Sequence, residues 1–306
     1  MFKEQILRLF PGRIRNALEL QDLDYEKVQE IRLRVQRPVI VQQNGKENVI
    51  NVLVTLKEIR EFVEVICGYS GYAFEEEISR GYVTIPGGHR IGLCGRAVLN
   101  KEGIQTLKYI AAVNLRIAHP VKECAEKWIQ YFYIENRPCH MLIISPPGCG
   151  KTTLLRDAVR LLSNGREGYP GVTVGVVDER SEIAGTYRGI PAHDLGMRTD
   201  ALDGCPKSIG MEMMLRSMAP KIMAVDEIGT GDVDSIENVL RCGCKVLATL
   251  HGETLEDYFE KPGFEKLVRE RVFERYIFLK RGQEPGNVSV IYDQNFRIIW
   301  EEGKCT

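Results

Sequence analysis

One stretch of this chain constrains its fold more than any other. An apolar run at residues 141–144 leads into a loop rich in glycine and proline, and a helical pattern begins directly after that loop. A short apolar run bounded by loop residues is typical of a buried parallel strand. The sequence therefore predicts a strand, a tight loop and a helix in succession, which is the repeating unit of an α/β sheet.

The same alternation continues along the second half of the chain. Further apolar runs lie at residues 172–177, 222–225 and 246–250, and helical patterns lie at residues 152–162, 211–218 and 233–240. A last pair of runs at residues 288–292 and 297–300 is typical of a hairpin. We predict an α/β P-loop core of the RecA or AAA kind, with a mostly parallel, doubly wound sheet.

The first 120 residues have a different pattern of predicted secondary structure. Residues 24–30 look helical, residues 30–35 alternate like a half-buried strand, and Asn44-Gly45 is a strong hairpin signal. A helical pattern at residues 56–66 precedes short alternating runs that indicate an antiparallel sheet. The expected organisation is a smaller α+β N-terminal domain at residues 1–120, a linking helix at 121–138 and an ATPase domain at 139–306.

The loop after the first apolar run predicts phosphate binding. Its residues are Ser145, Pro146, Pro147, Gly148, Cys149, Gly150, Lys151, Thr152 and Thr153. They fit the Walker A pattern G-x-x-x-x-G-K-[ST], except that serine stands at its first glycine. Glycines let backbone N–H groups face inward, and the helix N-terminus adds its positive dipole end, so we expect ATP to bind here. Lys151 would contact the β- and γ-phosphates, and the Thr152 hydroxyl would bind Mg²⁺.

Candidate catalytic side chains follow three of the other apolar runs, at the ligand-binding edge of such a sheet. Asp226 and Glu227 indicate a Walker B site, in which Asp226 holds Mg²⁺ and Glu227 polarises the attacking water. Glu179 either helps to place the water or metal, or belongs to an ordinary acidic loop. His251 is predicted to hydrogen-bond the γ-phosphate or the catalytic water and so to report hydrolysis to the rest of the molecule.

Charge and cysteine usage restrict the partners and the compartment. With 41 basic and 42 acidic residues, the chain has no overall charge that would favour nucleic acid or an anionic membrane. Its nine cysteines are odd in number and scattered, which favours a reducing cytoplasm over a disulfide framework. Cys242-Gly-Cys244 lacks the spacing of a zinc ribbon, so no structural metal is expected.

The chain has no signal-peptide pattern and no window suited to a spanning helix, so we predict a cytoplasmic protein without direct membrane insertion.

The order of the motifs resembles that of the secretion ATPases of type II and type IV systems. The shared elements are the phosphate loop, an acidic box at residues 178–182, the Walker B pair and the Ala-Thr-Leu-His run that ends at His251. Residues 198–207, 216–218 and 226–229 are similar to the stage III sporulation protein AA family of endospore-forming bacteria, and this resemblance spans nearly the whole chain. Two departures from the secretion ATPases are Asp226, where many of them have glycine, and the missing CxxC metal insert of the type II enzymes.

The resemblance implies a hexameric motor in the mother-cell cytoplasm, docked at the base of a membrane channel between mother cell and forespore. Assembly into a ring would also assist catalysis, because a neighbouring subunit can supply an arginine to the transition state of phosphoryl transfer. Arg90, Arg96 and Arg116 are the candidates, although each is equally well explained as an ordinary solvated or paired side chain.

The predicted function is Mg-dependent ATP hydrolysis by a secretion-ATPase-like motor that energises assembly of, or transport through, a membrane channel complex during sporulation. A nucleic-acid translocase is one alternative, and salt-sensitive stimulation of hydrolysis by DNA would indicate it. An ATP-binding scaffold with little hydrolysis is the other. Glu227 argues against the scaffold, because a protein that only binds ATP needs no carboxylate to activate water.

Overall fold

The chain forms two compact units, Met1–His119 and Pro120–Thr306. The computed structural model describes residues 2–68, 75–100, 103–119, 123–282 and 285–303. Within these residues, the main sheet of the first unit has six strands and that of the second has eight.

The first unit is built on an antiparallel sheet. Its strands are β1 (Val28–Arg34), β2 (Pro38–Gln43), β3 (Lys46–Leu53), β4 (Tyr82–Ile85), β5 (His89–Asn100) and β6 (Gly103–Arg116), in the spatial order β3-β2-β1-β6-β5-β4. Asn44 and Gly45 join β2 to β3 with φ angles of 52° and 72°, the left-handed conformation that a tight hairpin turn requires. Ile31 pairs with Leu115 across β1 and β6, and both are fully buried, so one face of the sheet forms the core.

In the described residues of this unit, four helices accompany the sheet. They are α1 (Phe2–Leu7), α2 (Gly12–Glu19), α3 (Leu56–Ile66) and α4 (Glu75–Ser79). A capping box sets the start of α3, because the Thr55 hydroxyl accepts the Glu58 N–H and the Glu58 carboxylate accepts the Thr55 N–H. Phe62 and Ile66 lie one turn apart on the buried face of α3, which packs this helix into the core.

The predicted helix at residues 24–30 is wrong. Residues 25–27 form a turn and β1 begins at Val28. The Asp24 carboxylate accepts the Glu26 N–H and pairs with Lys27, three residues later. This spacing of opposite charges is also common in helices, which explains the wrong prediction. Val28 pairs with Gln43 and Glu30 with Gln42 in β2, and this sheet pairing overrides the local preference.

The second unit is built on a mostly parallel sheet, which confirms the predicted α/β class. A small hairpin of β7 (Tyr133–Ile134) and β8 (Arg137–Pro138) precedes it. The strands of the sheet are β9 (Met141–Ser145), β10 (Val174–Asp178), β11 (Thr199–Asp203), β12 (Ile222–Val225), β13 (Lys245–His251), β14 (Arg275–Leu279), β15 (Val288–Asp293) and β16 (Ile298–Glu301). Their order is β11-β10-β12-β13-β9-β14-β15-β16. Among these described strands only β15 runs in the opposite direction, pairing antiparallel with β14 and with β16, and β15 and β16 form the predicted final hairpin.

Helices cover both faces of this sheet. They are α5 (Lys151–Asn164), α6 (Lys207–Ser217), α7 (Val233–Arg241), α8 (Leu255–Phe259) and α9 (Glu265–Arg269), with 3-10 helices at Glu126–Phe132 and Thr230–Asp232. Ile143 packs in the core with α5, and its neighbour Ile144 packs in the core with α6 to α9. Successive residues of β9 are therefore all buried, which explains why the strand is an unbroken apolar run in the sequence.

The segment at residues 121–138 differs from the separate linking helix that the sequence predicted. Its described part contains a short 3-10 helix and the hairpin of β7 and β8, all grouped with the second unit. Trp128 and Phe132 lie in the core beside α5, so packing against the sheet organises this segment. Among the helices of the described residues, none is both long enough and apolar enough to cross a membrane.

Candidate active site

The turn between β9 and α5 depends on two glycines. Gly148 and Gly150 have φ angles of 78° and 87°, a conformation that residues with side chains rarely adopt. A Cβ atom on Gly150 would also lie 2.5 Å from the Gly286 nitrogen and 2.6 Å from the Pro285 Cβ. The Gly286 N–H donates to the Cys149 carbonyl at 2.9 Å, so the segment before β15 packs directly on this turn.

Ser145 occupies the position where the phosphate-loop pattern has its first glycine. It is the last residue of β9 and is fully buried. Its hydroxyl donates to the Pro146 carbonyl at 2.9 Å, and its own carbonyl accepts the Gly252 N–H at 3.3 Å. Because Ser145 continues a strand, its backbone does not need glycine there.

Lys151, the first residue of α5, places a buried cation at the base of this turn. Its side chain reaches back to the Ser145 carbonyl at 3.3 Å and to Nδ1 of His251 at 3.0 Å, and the residue is 6% exposed. Burial lowers the pKa of the Lys151 ammonium, while the negative charges of Glu227 and Asp226 oppose that shift. A buried ammonium at the start of a helix, beside a glycine turn, is suited to bind an anion.

Asp226 lies just after β12 and contacts hydroxyl groups from two other elements. The Thr152 hydroxyl of α5 donates to Asp226 Oδ2 at 2.6 Å, and the Thr249 hydroxyl of β13 donates to Oδ1. These contacts fix the carboxylate at the start of α5, where Thr152 and Asp226 present oxygen ligands of the kind that Mg²⁺ prefers.

Glu227 has both a strained backbone and a fully engaged carboxylate. Its φ angle of 52° is unusual for a residue with a side chain, and its N–H donates to the Thr249 hydroxyl at 2.8 Å. Oε1 lies 2.7 Å from His251 Nε2, and Oε2 accepts from Arg180 at 2.6 Å. Burial acts to raise the pKa of this carboxyl, but the His251 hydrogen bond and the charges of Arg180 and Lys151 outweigh it, so the pKa is lowered.

The contacts of His251 define its tautomer. Lys151 has only N–H donors, so Nδ1 of His251 must accept the bond between them. In a neutral imidazole the other nitrogen then carries the proton, and Nε2–H donates to Glu227. His251 thereby links the ammonium of α5 to the carboxylate that follows β12.

The loop after β10 carries two carboxylates in different surroundings. Asp178 is 2% exposed and accepts the backbone N–H groups of Glu182, Ile183 and Ala184 at 2.8 to 2.9 Å. Burial raises the pKa of Asp178 to about 6, although these hydrogen bonds oppose the shift, and the residue organises the loop. Glu179 instead points at a cation, because Lys207 donates to its Oε2 at 3.0 Å.

The structure brings one group of the predicted residues together in the second unit, and the other group belongs to the first unit. The group in the second unit lies at the C-terminal edge of the sheet. It consists of the turn at residues 145–153, Glu179, Asp226, Glu227 and His251. The three predicted arginines belong to the first unit, on β5 and β6.

Those arginines have distinct surroundings. Arg90 stacks over the Tyr82 ring at 3.7 Å and lies opposite Arg116 across β5 and β6. Arg116 is 4.0 Å from the Glu30 carboxylate, and its side chain is 64% exposed. Arg96 is exposed further along the same hairpin, opposite Lys108.

Three residues of the site were missed by sequence reasoning. Thr249 binds Asp226 and Glu227, Arg180 binds Glu227, and Lys207 joins Glu179 to the Glu227 backbone. Thr249 lies in the Ala-Thr-Leu-His run, and Arg180 lies in the acidic box at residues 178–182. Their places in these motifs were the sequence signal that could have identified them. Lys207 follows β11, an element that the sequence did not predict.

The donor set fits Mg·ATP. The Thr152 hydroxyl and the Asp226 carboxylate are hard oxygen ligands, and the buried Lys151 ammonium stands next to a curled backbone. Among the residues that the structure describes, no group of three or more His, Cys, Asp or Glu side chains forms a ready-made metal cage.

Comparison with solved structures defines the class of fold. The chain is similar to the Legionella pneumophila ATPase DotB, with a TM-score of 0.56 and 16% identity over 91% of this chain and 76% of that one. It is also similar to the pilus retraction motor PilT with bound ADP, with a TM-score of 0.57 and 14% identity over 92% and 80%. At these identities the likeness establishes the fold alone, which this chain shares with both of these proteins.

Sequence comparison establishes the family. The family described as "Sporulation stage III, protein AA" matches residues 1–299. Stage III sporulation protein AA of Bacillus subtilis (strain 168) is 42% identical over 297 residues, which cover 96% of both chains. The chain belongs to this sporulation family, as its motifs predicted.

Proposed function

We propose that this chain hydrolyses Mg·ATP and works as a motor that energises assembly of, or transport through, a membrane channel complex during sporulation. The observation that supports this most is the chain of contacts that links Lys151, His251 and Glu227, beside the Thr152 to Asp226 hydrogen bond. Phosphoryl transfer depends mainly on positioning and on charge stabilisation, and these groups supply both.

Each group has a role in this proposal. The turn at residues 145–153 binds the phosphates, and Lys151 contacts their β- and γ-oxygens. Thr152 and Asp226 hold Mg²⁺, which neutralises charge on the phosphate oxygens when it is bound. Glu227 orients and polarises the attacking water, and its lowered pKa keeps it ionised near neutral pH. His251 contacts both Lys151 and Glu227, so it is placed to respond to the γ-phosphate.

We further propose a homo-hexamer at the cytoplasmic face of a membrane complex, on the mother-cell side. The second unit has a cation for the phosphates in Lys151, but Arg180 is already paired with Glu227 and Lys207 with Glu179. An arginine from a neighbouring subunit would add charge in the transition state. Arg90, Arg96 and Arg116 stay the candidates, and the partial exposure of Arg116 and the exposure of Arg96 support such a role.

The test is steady-state ATP turnover by the purified protein and by Glu227→Gln, with the molar mass measured by light scattering with and without Mg·ATP. We expect turnover in the wild type, a fall of about 100-fold or more in the variant because it removes the group that activates water, and rings that depend on nucleotide. Glu270→Gln, at an exposed acid after α9, is the matched control and should keep wild-type turnover.

The same assay separates the competing functions. A monomer that binds ATP without turnover would contradict the proposal and favour an ATP-binding scaffold. Turnover that DNA stimulates in a salt-sensitive manner would favour a nucleic-acid translocase instead.

A further inference from the structure

Lys207 joins three segments at the edge of the sheet. It is the first residue of α6, and its side chain is only 11% exposed. Its ammonium donates to Glu179 Oε2 and to the backbone carbonyl of Glu227, each at 3.0 Å. It also lies 3.6 Å from the Asp232 carboxylate. One cation therefore contacts the loop after β10, the loop after β12 and the 3-10 helix that precedes α7.

The backbone of Glu227 needs support of this kind. Its φ of 52° is unfavourable for a residue with a Cβ atom, and such a conformation persists only when surrounding contacts hold it. Its N–H is held by the Thr249 hydroxyl, and its carbonyl is held by Lys207. These two contacts fix the peptide groups on either side of the residue proposed to activate water.

The same cation balances the negative charge around this loop. Asp232 accepts the Gly229 N–H at 2.8 Å, so the segment from Glu227 to Asp232 is closed by Lys207 at one end and by Asp232 at the other. Without the ammonium, the carboxylates of Glu179 and Asp232 would lose the positive charge that both of them contact. The loss of this shared cation, together with the loss of the hydrogen bond to the Glu227 carbonyl, would then favour an opened loop.

We propose that Lys207 is a positioning residue of the active site, which holds the Glu227 backbone in its strained conformation, and that Glu179 acts by anchoring Lys207 instead of contacting the water. The inference rests on the proposed ATPase function. It assigns to Glu179 an indirect role and gives the start of α6 a function that the motifs of the sequence do not indicate.

The test compares ATP turnover by the full-length wild type, Lys207→Met and Glu179→Gln, and by the double variant. We expect Lys207→Met to lower kcat by about 10- to 100-fold with less than about a threefold change in KM, because a displaced Glu227 affects the transition state more than substrate binding. Adding Glu179→Gln to Lys207→Met should cause little further loss, because both changes break one connection.

Lys266→Met is the matched control. Lys266 forms an ion pair with Glu237 between α9 and α7, so the same substitution removes a comparable pair outside the loop from Glu227 to Asp232. This control should keep the wild-type kcat. Should Lys207→Met fail to fold, Lys207→Arg keeps the charge but places a planar group among the three acceptors, and it should fold with a lowered kcat.

A crystal structure of Lys207→Met adds a readout that does not depend on turnover. We expect the φ angle of Glu227 to leave the left-handed region and its carboxylate to move away from His251. An unchanged kcat, or an unchanged Glu227 backbone, would overturn the role of Lys207 while leaving the ATPase proposal intact. A wild type without turnover would instead overturn the ATPase proposal itself.

Discussion

At the level of single residues, the polar groups of the site already satisfy one another. Lys151 contacts His251, His251 contacts Glu227, and Glu227 contacts Arg180 in one continuous chain. A γ-phosphate that binds the Lys151 ammonium competes with the imidazole for it, since both are acceptors. The state of His251 is then coupled to nucleotide, which is the physical basis of the reporting role proposed for it.

Gly150 gives the sharpest prediction at this scale. Gly150→Ala should abolish ATP binding, because a left-handed backbone costs a residue with a side chain roughly 1–2 kcal/mol and the new Cβ would collide with Pro285 and Gly286. Binding is measured by titration with a fluorescent ATP analogue. Gly12→Ala is the control, because that glycine has open space around its Cβ position and no left-handed φ. Undiminished binding by Gly150→Ala would show that the turn does not form the phosphate site.

How much of the site the sequence predicts also differs from residue to residue. Short motifs with a fixed spacing identify the Walker A and Walker B residues in the sequence. These residues are Lys151, Thr152, Asp226 and Glu227. Lys207 at the start of α6 and Thr249 in β13 both contact the backbone of Glu227. Their hydrogen bonds depend on the strand order of the sheet, which no local pattern contains.

At the level of elements, four buried parallel strands were predicted, whereas the buried strand β14 and one edge strand, β11, were not. The apolar runs of β9, β12 and β13 are buried on both faces, so composition alone indicates them. The strand β11 has the sequence Thr-Asp-Ala-Leu-Asp and is half-buried throughout, as an edge strand can be. Only its pairing with β10 makes it a strand, and the sequence has no signal for that pairing.

The start of α3 gives a prediction about stability and pH. The hydrogen bond from Arg13, supported by the contacts of Thr55, lowers the pKa of Glu58 to about 2, although burial opposes the shift. The pKa in the folded state thus lies below 4.5, the ordinary value for a glutamate side chain. The stabilisation is therefore fully present above pH 4.5 and is lost as the pH falls from there towards 2.

Glu58→Gln should lower the free energy of unfolding at pH 7 by about 1–2 kcal/mol, a figure reduced because Arg13 is half exposed to solvent. The difference between variant and wild type should shrink below pH 4.5, which urea denaturation followed by circular dichroism measures. Glu61→Gln, in an exposed pair on the same helix, is the control. A difference that stayed constant from neutral pH down to the folded-state pKa of about 2 would contradict the assigned role of the Glu58 charge.

At the level of the whole molecule, the chain combines an antiparallel unit with a parallel unit that carries the candidate site. The second unit was predictable because alternating strands and helices have few stable arrangements. The segment at residues 121–138 was harder to assign, since its short 3-10 helix is held by packing of Trp128 and Phe132 and not by helical propensity. The proposed contribution of an arginine from a neighbouring subunit depends on an assembly, and a single chain's sequence pattern does not encode that arrangement.

The most direct measurement of whether these residues form one Mg·ATP site is calorimetric titration with a non-hydrolysable ATP analogue, with and without Mg²⁺. We expect Mg²⁺ to strengthen binding to the wild type, and Asp226→Asn to reduce the affinity for the metal by about 10- to 100-fold while the analogue alone still binds. Asp234→Asn, at an exposed acid on α7, should behave as the wild type. Wild-type binding that is independent of Mg²⁺, or an Asp226→Asn variant with an unchanged response to the metal, would contradict the assignment of this site.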